Sequence, residues 1–187
     1  MNSRTIAIII SLTALSVATD YALISQPNIK LMDLIVFVGG FCFGPVVGSL
    51  TGIFSWTIYG TLNPAGFSLP IWLATMFSES IYGLVGAALR RFMRAGDFKR
   101  STNWRVNSGV FFAFVSVFLT FVYDLITNVV FGYFSNLNVV VTVIFGFATF
   151  GIVHMISNAF FFGVGCMPAI DALIRLTGSE NSGISSK

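Results

Sequence analysis

The stretch LITNVVFGYFSNLNVVVTVIFGFATFGIVHMISNAFFFGVGCMPAI (Leu125–Ile170) contains not one Lys, Arg, Asp or Glu. A second charge-free stretch runs from Leu34 to Ser78. A water-facing surface needs charges at intervals, whereas a bilayer span needs about 20 predominantly apolar residues. Both stretches are long enough for two crossings. The whole chain agrees: 56% of its 187 residues are apolar, 16% aromatic and only 9% charged. Soluble domains carry roughly 25% charged residues. These facts predict an all-α integral membrane protein, a bundle of about six transmembrane helices.

Turn chemistry divides the chain. Helices are expected over Thr5–Leu23, Leu31–Phe43, Pro45–Tyr59, Pro70–Arg90, Ser108–Val129 and Ala148–Leu176. Gly44-Pro45 separates the second and third, because Pro suits a first helical position. Those two are short for a span, so tilt or local bilayer thinning is expected. The run Val139–Phe147 has no polar break behind it and reads as an interfacial segment, with a loop at Gly132–Asn138 before it. The first apolar run is expected to be a retained helix and not a cleaved leader. Residues 1–176 form one expected transmembrane domain. Residues 177–187, rich in Ser and Gly, are expected to be a disordered cytoplasmic tail.

Charge placement gives the orientation. With six helices, one side holds Arg4, Arg90, Arg91, Arg94, Lys99, Arg100, Arg105, Arg175 and Lys187, and the other holds only Lys30. The positive-inside rule then puts both termini in the cytoplasm. The net charge of +3 resides mostly in one short loop, so it is no nucleic-acid footprint. Cys42 and Cys166 lie in separate apolar runs and read as inert thiols. No GxxxxGK[ST], HExxH or GxSxG motif and no zinc spacing occurs, so neither catalytic residues nor a metal or cofactor is expected.

Two features carry functional weight. On the first helix Ala14, Ala18 and Ala22 recur every fourth residue, extended by Ala7 and Ser11, and so share one face. Small stripes let another helix approach closely, within the bundle or from a separate subunit. Asp20 lies about 200° away from Ala18 around the helix. The other feature is polar residues deep in apolar helices. Glu79 is about 13 Å along the axis from Pro70 at 1.5 Å per residue. An ionisable group at that depth needs a partner inside the bundle. Trp72, Thr75 and Glu79 share a face, as do Ser116, Thr120, Asp124 and Asn128, and His154, Ser157 and Asn158. They line a pocket, or they form polar pairs such as Glu79 with His154 that only tie helices together. Tyr21, Trp56, Tyr59, Phe67, Trp72, Tyr123 and Tyr133 cluster at the outer ends, as interfacial aromatics do.

The run Lys30-Leu-Met-Asp-Leu-Ile-Val-Phe-Val-Gly-Gly-Phe-Cys-Phe-Gly-Pro-Val-Val-Gly resembles the second and third helices of S-components of energy-coupling-factor (ECF) vitamin transporters. Tyr59–Pro64 followed by Leu69–Trp72 fits their third and fourth helices. His154-Met-Ile-Ser157-Asn158 with Pro168 resembles their last helix, and the Ala14/Ala18 stripe matches their docking motif. The resemblance covers about residues 5–176 and is closest to the riboflavin-transporter-like branch. It implies a protein that binds a vitamin or related micronutrient from outside. It also implies docking through the first helix onto a transmembrane coupling subunit that carries two ATPase subunits. The implied ligand site contains Asn28, Lys30, Trp72, Thr75, Glu79, Asp124, Asn128, His154 and Asn158. This mixed chemistry suits a neutral or cationic heteroaromatic better than a polyanion. The rival readings are a membrane-embedded enzyme or stand-alone transporter using Glu79, Asp124 and His154, and a membrane scaffold.

Overall fold

Helix α1 (Ser3–Ala22) begins where Asn2 accepts a hydrogen bond from the Thr5 N–H, the usual device for an orphan donor at a helix start. The computed structural model describes residues 1–63, 66–93 and 102–177, apart from the side chains of 102–106 and 177. The basic residues Arg94, Lys99, Arg100 and Lys187, the side chain of Arg105 and the expected disordered tail beyond 177 lie outside what is described. After α1 come α2 (Met32–Phe43), α3 (Pro45–Thr61), α4 (Leu69–Phe92) and α5 (Thr102–Phe134). Then α6 (Val139–Gly146), a π-helical turn (Phe147–Gly151) and α7 (Ile152–Thr177) follow one another without a gap. Six rods result, and the described residues contain no strand.

Among the described residues, four segments are long and apolar enough to cross a membrane: Ser3–Ala22, Leu69–Phe92, Asn107–Phe134 and Val139–Leu176. Their outward faces are apolar. Phe114, Phe118, Ile144, Ile156 and Phe160 are all exposed, which is tolerable only with lipid as the solvent.

The short α2 needs no thinned bilayer, because its neighbours rather than lipid surround most of it. Met32, Val36, Phe37 and Phe41 are fully buried, and α1, α3, α4 and α7 all pack against it. A helix that is hydrophobic all round belongs in the interior. Phe37 stacks or crosses with Phe41, Phe112 and Phe162 to fill the core around it. Close approach of α2, α3 and α4 depends on Gly40, Gly48 and Gly83. A Cβ on Gly48 would lie 2.6 Å from the Gly40 Cα and 2.7 Å from the Gly83 Cα, so these backbones touch where side chains would normally intervene.

Two expectations are corrected. The fifth helix continues to Phe134, so Gly132 is helical and the connecting loop is only Ser135–Asn138. Val139–Phe147 is not a separate interfacial piece. Asn138 accepts from the Val141 N–H, and the chain stays helical from there to Thr177. With no polar residue to break the run, the backbone bonds are best satisfied by continuing the helix.

Candidate functional site

Asp33 lies at the centre of the site. It sits in the first turn of α2, and because α2 is enclosed, its carboxylate is only 1% exposed. His154 Nε2 lies 2.8 Å from Asp33 Oδ2, and His154 Nδ1 lies 3.0 Å from Asp124 Oδ1. Asn158 Nδ2 donates to the same Asp33 oxygen, and also to Thr120 Oγ1 at 2.8 Å. Tyr82 OH meets Thr120 Oγ1 at 2.9 Å. Helices α2, α4, α5 and α7 thus share one buried polar network. Each of the two carboxyl–imidazole links needs one hydrogen. The Asp33–His154–Asp124 triad therefore holds two, and carries one net negative charge whether the imidazole or a carboxyl has the extra proton. Burying such groups is tolerable only because each finds partners.

Glu79 stands apart from this triad. Its Oε2 accepts from the Trp56 indole N–H at 3.1 Å, so the conceivable Glu79–His154 pair does not form; His154 already has a carboxylate on each nitrogen. Asp20 has a different task. Its Oδ1 accepts from the backbone N–H groups of Leu31 and Met32 at 3.0 and 3.2 Å. It caps α2 from another helix, joining the end of α1 to the start of α2.

Above the triad, at the end of the bundle where α1 and α3 finish and α4 begins, lies a cavity of about 280 Å³. Asn28, Lys30, Thr75, Asp124, Asn128 and His154 of the expected site line it. Trp72, Glu79 and Asn158 do not. Trp72 turns to the Thr57 carbonyl, Glu79 lies behind Trp56, and Asn158 lies below His154. Trp56 and Tyr123 complete an aromatic wall. The Lys30 ammonium lies 4.1 Å from the Trp56 ring centroid and 5.2 Å from that of Tyr59. A larger apolar cleft of about 550 Å³ opens between α5 and α6 beside exposed Val141 and Phe145. It adjoins the first at Asn128 and Gly146, but its polar lining is Asn and Thr with no charged or ionisable group, so the smaller cavity is the better ligand site.

On α1, Ala7, Ser11, Ala14, Ala18 and Ala22 are all exposed, whereas Ile9, Leu12, Thr13, Ser16 and Asp20 are buried. The small stripe therefore faces away from the bundle, and internal packing does not account for it. The residue that sequence reasoning missed is Asp33. It is absent from the expected site, although an acid flanked by apolar residues already signals an interior partner.

A family model described as ECF transporter, substrate-specific component, matches residues 4–164, which span α1 to α5 and most of the last rod. The chain belongs to this family. Neither a curated protein nor a solved structure matches it. As an ECF substrate-specific component it is a membrane-embedded transport protein that works with a coupling and ATPase module, and its family is not an enzyme class. The family description names no substrate.

Proposed function

We propose that this S-component captures a vitamin or related micronutrient in the 280 Å³ cavity from outside a prokaryotic cell. It then hands the ligand inward through a coupling subunit bearing two ATPase subunits. The observation that carries this reading is the convergence of Lys30, Asp124, Asn128 and His154 on a cavity at one end of the bundle. That is the end away from the N-terminus of α1 and away from Arg90 and Arg91 at the close of α4. With both termini cytoplasmic, as the distribution of Lys and Arg favours, the cavity is external. Docking is assigned to the exposed Ala14, Ala18 and Ala22 face, where small residues allow a partner helix to approach. Riboflavin is the default ligand by resemblance.

The rival reading, an enzyme or autonomous transporter built on Glu79, Asp124 and His154, is less well supported. Glu79 is committed to Trp56 and does not border the cavity. The test is mass spectrometry of small molecules co-purifying with the protein in mild detergent from vitamin-replete cells. A stoichiometric vitamin-like molecule is expected. Its absence, together with unimpaired uptake in cells lacking the coupling module, would refute the reading.

A further inference from the structure

Two cavity groups are left incompletely partnered by the chain itself. Lys30 is half-buried and, among the described residues, makes neither a hydrogen bond nor an ion pair; its ammonium rests on the faces of Trp56 and Tyr59. Such a contact is weaker than a charge-assisted hydrogen bond, so an incoming anionic oxygen would be the better partner. Across the cavity, Asp124 gives Oδ1 to His154, while its Oδ2 is buried with no hydrogen-bond partner. Gly151 forms the wall beside it, where a Cβ would stand 3.3 Å from that oxygen. A buried acceptor without a donor is costly and calls for an explanation, and a donor on the ligand supplies one.

The two groups have opposite charge. Lys30 brings one positive charge, and the Asp33–His154–Asp124 triad brings one negative charge. The cavity between them has the volume of a sphere about 8 Å across, a small ligand's length. Resting on the capture reading above, we propose that the cavity selects an amphoteric small molecule, its acidic group bound at Lys30 and its ammonium or ring N–H at Asp124. The flat part of such a molecule lies against Trp56 and Tyr123. This departs from the neutral or cationic heteroaromatic, riboflavin included, expected from the sequence, because the Lys30 ammonium rests only on aromatic rings and Asp124 Oδ2 has no hydrogen-bond partner.

Four probes with one ring and different charges test this: 4-(aminomethyl)benzoate, benzylamine, benzoate and benzamide. Each is titrated into the detergent-purified full chain while thermal unfolding is followed by tryptophan fluorescence, since a ligand of the folded state raises the transition in proportion to its occupancy. The zwitterion is expected to stabilise most. Its apparent affinity should fall by roughly tenfold in Lys30→Met, as for loss of one charged hydrogen bond. Lys30 is outside the triad, so this variant keeps the buried network. Asp124→Asn should relax the preference for the zwitterion over benzoate. Equal stabilisation by benzylamine or benzamide, an unchanged zwitterion affinity in Lys30→Met, or stabilisation by none of the four overturns the proposal. A co-purifying micronutrient that lacks an acidic group would overturn it too, while leaving the capture function standing.

Discussion

Replacing Asp33 with Leu removes the acceptor that two side chains of α7 share. His154 Nε2 at 2.8 Å and Asn158 Nδ2 both meet Asp33 Oδ2, and both side chains are buried, with 2% and 0% of their surface exposed. A buried polar group left unpaired costs about 1–3 kcal/mol. The loss is tempered because His154 keeps Asp124 and Asn158 keeps Thr120. The sum is about 2–4 kcal/mol. Measured interhelical hydrogen bonds in membranes average only about 0.6 kcal/mol, because donors find other partners in the unfolded state. Here the donors are enclosed by four helices, so the larger figure should apply. At ~2–4 °C per kcal/mol for a chain of this size, Tm should fall by ~4–16 °C. The assay is thermal unfolding in detergent followed by tryptophan fluorescence. Asp33→Asn supplies the control, since its amide oxygen can still accept from both donors, and it should fall between wild type and Asp33→Leu. A Tm for Asp33→Leu within about 2 °C of wild type would mean that Asp33 does not hold α2 to α7.

Ala14→Trp combined with Ala18→Trp should leave Tm and ligand binding unchanged, because both positions are exposed; uptake in cells containing the coupling module should be abolished, and loss of binding by the folded protein would remove the docking assignment. Gly48→Leu should destabilise by about 3 kcal/mol or more, beyond ordinary overpacking, because its Cβ would meet the backbones of Gly40 and Gly83; a denaturation midpoint like that of wild type would refute the tight α2–α3–α4 packing. Gly146→Val should weaken ligand binding by roughly tenfold with little change in Tm, because the new side chain must displace Asn128 from the cavity wall; binding isotherms of the two proteins that coincide would refute this.

Much of the helical arrangement was legible because lipid imposes simple conditions. Charge-free runs, Gly44-Pro45 and Pro70 located the first four rods to within a few residues. The polar faces on α5 and α7 were also legible, since period and spacing fix which residues share a side. What the spacing did not carry was the rotation and depth of one helix against another. Asp33 sits in the first turn of α2, and that position says nothing of α2 being enclosed. Glu79 and His154 were plausible partners by type. Trp56 and the two aspartates hold them apart, and those contacts join residues far separated in the chain. For the alanine stripe, sequence defined the face, but only the packing of Ile9, Leu12 and Ser16 decided that it points outward.

The π-helical turn at Phe147–Gly151 has a consequence for how this protein could be re-tuned. A turn of this kind holds one residue more than the regular helix, and each residue of an α-helix advances by about 100°. The extra residue is absorbed within that one turn, so excising it would restore an even helix while Val139–Gly146 and Ile152–Thr177 kept their relative facing. Gly146 would stay against Asn128, and His154 and Asn158 would keep their partners. A single codon deletion here is therefore absorbed, so re-aiming that wall of the cavity takes a new side chain, as in Gly146→Val, and not a change in chain length.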